Sequence, residues 1–235
     1  MSDSVIDTCV EAGLQAELDL LGSVCAGASE AGLLLWRPLD QALVMPRRMS
    51  QLPGFVEASE TLADGGWPVL LRETGGEPVP QSRATVNIAL VYAQPASDSD
   101  RDRIETAYRR LCQPILDVLS ELGGDASLGE VEGAFCDGRF NVNLGGRKMV
   151  GTAQRWRQSR GGLRPVVLAH AAMLMDDERY EMAATVNRFN QMCEIEQHVR
   201  ADSHIALSEA FAADGVLEKL AAGYRSMLDG LAEGR

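Results

Sequence analysis

Lysine is nearly absent from this sequence. Of 22 basic residues only Lys148 and Lys219 are lysines, so positive charge is written almost wholly as arginine. Cysteine pairing is missing too. The five cysteines, Cys9, Cys25, Cys112, Cys136 and Cys193, are odd in number and never in C-x-x-C spacing, which argues against a disulfide framework and a zinc site. His170, His198 and His204 show no metal-ligand spacing either. No structural metal is expected, and each histidine reads as a surface or satisfied core residue rather than a catalytic group. No stretch approaches the roughly 20 uninterrupted apolar residues of a membrane helix. The start, MSDSVIDTC, is acidic and unlike a signal peptide. A cytoplasmic protein without a membrane partner is expected. Repeats, low-complexity tracts and linkers are absent, so residues 1–235 read as one domain with a sizeable core. The net charge of -12 makes nucleic acid a poor partner, because phosphate binding needs a basic face.

One absence is local. From Gly138 to Met175 there is no Asp or Glu, while Arg139, Arg147, Lys148, Arg155, Arg157, Arg160 and Arg164 supply seven positive charges. Such a field steers an acidic protein partner, and Arg139, Arg147, Arg155 and Arg157 are the contacts expected to meet it. The competing reading is a solvated strand face balanced by helical acids elsewhere.

Inside this region Lys148 stands in GGRKMVG. A lysine offers a compact ammonium with three rotatable donors where arginine offers a wide planar fork, so a narrow pocket that donates to one carbonyl oxygen favours it. A lysine surviving by chance in an arginine-rich sequence stays open. Twelve residues upstream, Cys136 precedes Asp137-Gly138. Residues 139–144 then alternate as a strand, Gly145-Gly146 is a hairpin turn, and a second short strand runs from Arg147 to Val150. The hairpin brings the region of Cys136 toward Lys148. For Cys136 alone, a buried small hydrophobe is the competing reading.

Elsewhere the pattern predicts an amphipathic helix from Ser4 to Ala28 and apolar strands at Leu33–Trp36 and Ala42–Met45. A helix over Pro53–Ala63 and strands at Trp67–Arg72 and Thr85–Tyr92 follow. A long helix with an apolar stripe from Ile104 to Leu122 should be kinked by Pro114, and Cys112 lies on its buried face. After a Gly161-Gly162 loop come a buried strand from Pro165 and helices over Tyr180–Phe189, Ser203–Phe211 and Val216–Leu231.

The segment FCDGRFNVNLGGRKMVGTAQR resembles the signature of the lipoate-protein ligase and octanoyltransferase family, in which a G-R-K-x-x-G-x-A-Q-R stretch carries a lysine that contacts the acyl carbonyl. By that resemblance Lys148 binds the carbonyl, and Cys136, in an F-C-x-G context, is the nucleophile of the cysteine-dependent transferases. The G-R-N-D pattern of the ATP-dependent ligases is not met, since Phe140-Asn141 follow Gly138-Arg139. The family's R-x-x-G-G-G-x-V-x-H segment is matched at Arg72, Gly75, Gly76 and Val79. It departs at Glu77, where a third Gly stands, and at Gln81, where a His stands. Asn87 falls at a later family position, and His170 matches a family histidine in type.

The resemblance implies one α+β domain of the biotin/lipoate ligase type, a mixed sheet with packed helices and no separate C-terminal accessory domain. It implies transfer of an octanoyl or lipoyl group to a lysine of a lipoyl-domain protein through a thioester on Cys136. The donor is acyl carrier protein or the glycine-cleavage H protein. Positive charge around Cys136 favours the thiolate that attacks, and Lys148 stabilises the oxyanion. Arg72, Gly75, Gly76, Asn87, Gly151 and Thr152 are candidates for the substrate pocket, with Val79 and Val150 lining an acyl tunnel. No cofactor is required, and ATP with Mg enters only if the chain is instead a ligase. A non-catalytic module that binds acyl-carrier or lipoyl domains is the third reading.

Overall fold

The computed structural model describes residues 5–160 and 164–233. The predicted Gly161-Gly162 loop and the helix start at Ser4 lie outside them. In chain order the elements are β1 (Ile6–Thr8), α1 (Val10–Cys25), β2 (Ala31–Pro38), β3 (Ala42–Pro46), α2 (Phe55–Asp64), β4 (Val69–Arg72), β5 (Val79–Gln81) and β6 (Thr85–Ala93). Then come α3 (Arg103–Glu121), β7 (Ala126–Leu128), β8 (Val142–Leu144), β9 (Arg147–Gln158), β10 (Pro165–Leu174), α4 (Arg179–Met192), α5 (Leu207–Ala210) and α6 (Val216–Glu233). Single 3₁₀ turns follow β3, at Arg47–Gln51, and precede α5, at Ala201–Ser203.

Seven strands form the main sheet in the order β1-β2-β6-β10-β9-β8-β7, with only β1 and β2 parallel. Its central strands are apolar on both faces because both faces are covered. On one side the α3 stripe, including Leu111, Ile115 and Leu119, packs with Leu220 and Tyr224 of α6 against Ile88, Leu90 and Val150. α3 runs through Pro114 as one helix, and Pro114 faces Gly223, where an added Cβ would stand 3.3 Å from it. On the other side Leu21 and Val24 of α1 meet Ala89, Val91, Val166 and Leu168. A second, three-stranded sheet, β4-β3-β5, lies on this side and shares a core with α2 and α4.

The architecture is the expected α+β one, with mixed sheets and packed helices. Four local expectations are corrected. Ile6–Thr8 is an edge strand, so the first helix begins at Val10. The single mixed sheet expected is two sheets, with Leu33–Trp36 in the larger and Ala42–Met45 in the smaller. Residues 139–141 form a turn rather than the start of a strand. The helix expected over Ser203–Phe211 shrinks to the single turn of α5. No helix among the described residues is long and apolar enough to cross a membrane.

Candidate functional site

Lys148 is aimed by a hairpin and a bulge. Gly145 and Gly146 both have positive φ, 56° and 75°, which a two-residue type I′ turn requires. They pair Leu144 with Arg147 and Asn143 with Lys148, but Val142 pairs with Val150, so Met149 is an extra residue in β9. A bulge of this kind reverses the side-chain alternation beyond it. Lys148 therefore faces the small sheet, whereas Val150 points into the α3 core. Gly151 leaves room for the lysine: a Cβ there would lie 3.3 Å from Nζ.

The Lys148 ammonium is 2% exposed and is spoken for by the cysteine loop. Nζ donates to the carbonyl oxygens of Phe135 at 2.5 Å and Cys136 at 2.8 Å. Burial pulls its pKa from 10.5 down to about 8, opposed by the charges of Cys136, Asp137 and Glu77. Cys136 has φ 49°, a left-handed conformation that costs a non-glycine residue ~1–2 kcal/mol. Its carbonyl also accepts from Asn141 Nδ2 at 3.1 Å, and Asn141 Oδ1 accepts from the Thr152 N–H at 3.4 Å. The strained cysteine is thus held by side chains from both sides.

Its sulfur meets the loop between β4 and β5. The Glu77 N–H donates to Sγ at 3.3 Å. Burial pulls the Arg72 guanidinium below its ordinary pKa, while the neighbouring Cys136 sulfur, by charge and hydrogen bond, opposes that pull. Arg72 Nη2 donates to the Gly75 and Glu77 carbonyls at 2.8 and 3.1 Å, and its buried Nε has no hydrogen-bond partner among the described residues. Gly76, at φ 104°, is where loop, arginine and sulfur converge: a Cβ there would lie 2.8 Å from both Arg72 Nη2 and Cys136 Sγ. Three more arginines pin this loop. Arg48 donates to the Gly76 carbonyl at 2.6 Å, Arg155 donates to the Glu73 carbonyl at 2.6 Å and pairs with its carboxylate at 2.8 Å, and Arg47 pairs with the same carboxylate. A buried chain ties the loop to the sheet. Trp36 Nε1 donates to Glu17 at 2.9 Å, Glu17 meets His170 Nδ1 at 2.8 Å, and His170 Nε2 meets Thr74 Oγ1 at 3.0 Å.

Two cavities meet at Cys136, and another adjoins one of them. One, of about 410 Å³, runs between the sheets and is lined by Leu14, Val44, Val79 and Ala172 with Cys136 and His170. Gln81, whose Oε1 accepts from Asn87 Nδ2 at 2.8 Å, forms part of its wall. A second, of about 330 Å³, shares Val79, Gly151 and Ala172 with it and reaches Lys148, Phe135 and Met182. A third, of about 760 Å³, opens to solvent past Gly76, Ile104, Tyr108, Arg139 and Phe140. The structure therefore brings together Cys136, Lys148, Arg72, Gly75, Gly76, Val79, Asn87, Gly151 and Thr152. Val150 does not join them.

The four arginines expected to meet a partner divide. Arg139, stacked 5.4 Å over Phe140, and Arg157 are exposed. Arg155 holds Glu73, and Arg147 lies 3.7 Å from Glu209. His204, read from the sequence as a surface or satisfied core residue, is a core one: it is 1% exposed and accepts the Phe135 N–H at 3.2 Å on Nε2. Burial, helped by Lys148, pulls its pKa from 6.5 to about 4, so the imidazole is neutral. No local pattern marks its contact with the cysteine loop, because Phe135 lies nearly seventy residues upstream. Among the described residues no cluster of three or more His, Cys, Asp or Glu could hold a metal.

Residues 11–221 match the family model of the lipoyl protein ligase A/B catalytic domain. An uncharacterized protein of Cupriavidus necator is 36% identical over 213 residues, covering 86% of this chain and 82% of that protein. An octanoyl-GcvH:protein N-octanoyltransferase of Kyrpidia tusciae is 33% identical over 158 residues, 64% of this chain, and the match spans about half, 52%, of that protein's length. Among solved structures, a lipoate-protein ligase A bound with ATP superposes with a TM-score of 0.69 at 18% identity, over 96% of this chain and 84% of that one. That likeness concerns the fold.

Proposed function

The chain belongs to the lipoyl protein ligase A/B catalytic domain family, and from that premise we propose that it is an acyltransferase that moves an octanoyl or lipoyl group between proteins through a thioester on Cys136. One observation carries the reading. The Cys136 sulfur lies where a largely apolar cavity meets a wider cleft, faced by a backbone N–H and flanked by Arg72. The acyl chain would lie along the apolar lining of the first space, Leu14, Val44, Val79 and Ala172, and a protein-borne arm would enter through the second.

In the first step the thiolate attacks the acyl carbonyl of the donor. The carbonyl oxygen becomes an oxyanion, which the remaining N–H of Lys148 and the unpartnered Nε of Arg72 are there to receive. The bond to the donor breaks, the donor nitrogen or sulfur leaves with the proton given up by the thiol, and the acyl group stays on Cys136. In the second step the acceptor lysine amine attacks the thioester, its proton returns to sulfur, and an amide is released. With a pKa of about 8, Lys148 is mostly protonated near neutrality and so keeps the ammonium donors that the oxyanion role needs.

The relatives named octanoyl-GcvH:protein N-octanoyltransferase support the glycine-cleavage H protein as one partner, with a lipoyl-domain protein on the other side. Arg139 and Arg157 are the exposed cations available to acidic surfaces of such partners, and Arg147 and Arg155 serve first in internal pairs. The ATP-dependent alternative fits less well. The loop that would face a polyphosphate carries the carboxylates of Glu73 and Glu77, and Glu73 already joins Arg47 and Arg155.

Intact-mass spectrometry tests the proposal. Wild type incubated with an octanoylated carrier protein or H protein, without ATP, should gain one octanoyl group that hydroxylamine removes, and Cys136→Ala should gain none. Acylation of a lipoyl domain that appears only with free octanoate and ATP, and survives Cys136→Ala, would replace this reading with the ligase.

A further inference from the structure

The cysteine loop is held by a segment that lies outside both recognisable motifs. Between Arg200 and Ile205 a short stretch of chain makes contact after contact with residues 132–136. The Arg200 N–H donates to the Gly133 carbonyl at 2.8 Å. Arg200 Nη2 and Ser203 Oγ both donate to the Glu132 carbonyl at 2.7 Å. Gly133 is packed so closely that a Cβ there would stand 2.5 Å from Arg200 Nε. The same stretch is fastened to β9, since the Ile205 N–H donates to the Lys148 carbonyl at 2.9 Å and His204 bridges to Lys148 in parallel. The segment therefore touches the nucleophile's loop with one hand and the lysine's strand with the other.

His204 is the side chain at the junction. Its Nδ1 faces the carbonyl oxygens of Arg200, at 3.0 Å, and Ala201, at 3.4 Å. Carbonyls only accept, so Nδ1 carries the proton and Nε2 carries a lone pair. That lone pair receives the N–H of Phe135 at 3.2 Å. The imidazole also stacks on the Phe135 ring, with centroids 4.1 Å apart and planes at 20°. On the far side of the same residue, Lys148 Nζ takes the Phe135 and Cys136 carbonyls. The peptide units flanking Phe135 are thus gripped at the N–H by His204 and at the oxygen by Lys148. The next residue is Cys136 in its left-handed conformation.

We propose that His204 is a positioning residue for acyl transfer, a tautomer-locked acceptor that fixes Phe135 so that the sulfur of Cys136 is presented to the cleft and to Lys148 in one geometry. Its hydrogen bonds go to Phe135, Arg200 and Ala201 and not to the Cys136 sulfur. Its effect is exerted through Phe135, and a misplacement of the sulfur by about 1 Å is enough to slow a reaction roughly 10²-fold. The inference rests on the reading of Cys136 as the nucleophile.

The test separates the two. His204→Phe keeps the ring stack and loses the acceptor. His204→Gln loses the aromatic ring and places Oε1 near the lost Nε2. Alkylation of Cys136 by iodoacetamide, followed peptide by peptide so that Cys9 and Cys25 do not interfere, needs no acyl substrate. Single-turnover octanoyl uptake from a carrier protein measures the reaction itself. The expected result is a loss of at least about tenfold in both rates for His204→Phe, in kcat rather than KM, with most of it restored in His204→Gln and melting temperatures close to wild type. Wild-type rates in His204→Phe overturn the proposal, and so does an equal loss in both variants. Should His204→Phe not fold, His204→Asn, whose shorter amide falls short of Phe135, takes its place against His204→Gln with the same criteria. A wild-type protein that takes up no octanoyl group, while its Cys136 alkylation still depends on His204, refutes the transferase reading and leaves the positioning role standing.

Discussion

Replacing Lys148 with methionine removes one charge and little volume, and the structure fixes what should follow. The folded protein holds the ammonium at a pKa of about 8 instead of 10.5, a difference of 2.5 units, or about 3 kcal/mol by which burial disfavours the charged form. The Lys148→Met variant would be relieved of that penalty but would strip the Phe135 and Cys136 carbonyls of a donor, at about 1–3 kcal/mol each. At pH 7 the variant should therefore fold within a few kcal/mol of wild type. The pH dependence is sharper. Between pH 8 and 10.5 the unfolded lysine binds a proton that the folded one has released, so unfolding takes up a proton and becomes harder as pH rises. Wild type should gain stability over the variant through that window, by about 3 kcal/mol in all, and the gap should be flat below pH 8. Guanidinium unfolding of both proteins, followed by tryptophan fluorescence from pH 7 to 10, measures it. Groups remote from Lys148 titrate alike in both proteins and drop out of the difference. Octanoyl uptake should fall by roughly 10²–10³ at the same time. A gap that stays constant or narrows from pH 8 to 10 would refute the claim that Lys148 is a desolvated ammonium.

Gly76→Ala places a Cβ 2.8 Å from both Cys136 Sγ and Arg72 Nη2 at φ 104°, so the loop must shift at about 1–3 kcal/mol. Octanoyl uptake at Cys136 should drop more than tenfold in a protein that still melts cooperatively, and an unchanged uptake rate would remove this loop from the site. His204, with its folded pKa near 4 against 6.5 when free, contributes stability that is complete above pH 6.5 and lost as pH falls toward 4, about 3 kcal/mol in all. Urea unfolding of His204→Phe should lack that component, and parallel pH profiles for the two proteins would contradict it. Arg139→Glu should raise KM for an acidic protein donor severalfold, most strongly at low salt, and leave the iodoacetamide rate of Cys136 unchanged. An equal KM at low and high salt would show that this cation does not meet the partner.

The parts of the site legible in the sequence were those written in adjacent residues. Gly145-Gly146 announced the hairpin, and the rarity of lysine singled out Lys148. Both reappear in the structure, with Lys148 hydrogen-bonded to the Cys136 carbonyl. Val150, expected as an apolar residue lining the acyl tunnel, packs into the α3 core instead, because the extra Met149 turns every later side chain in β9 over. The basic run looked like a free surface because its counterions are remote: Glu73 answers Arg155 across 82 residues, and Glu209 answers Arg147. Glu77 read as a departure from a glycine pattern, yet the Cys136 contact comes from its backbone N–H, which any residue except proline supplies. The second sheet stayed hidden because β3, β4 and β5 are short and pair only through tertiary contacts, so nothing in their own sequences separates them from the main sheet.

The same geometry explains why a chain so rich in arginine keeps a lysine at position 148. Two carbonyl oxygens on consecutive residues of a tightly turned loop, those of Phe135 and Cys136, converge on one nitrogen. In the proposed reaction a substrate carbonyl at Sγ would be a third oxygen for the same donor. An ammonium presents three N–H groups in a tetrahedral spray and serves all three oxygens from one centre. A guanidinium presents its donors in a plane across a wide fork, suited to a carboxylate and not to three carbonyls gathered on one point. Its charge also cannot be released near neutrality, whereas the buried ammonium at about 8 can be. Gly151 supplies the remaining condition, because the lysine stem folds back over the space a side chain at 151 would fill. Lysine at 148 and glycine at 151 are therefore one requirement: a compact, titratable donor delivered at close range to the backbone of Cys136.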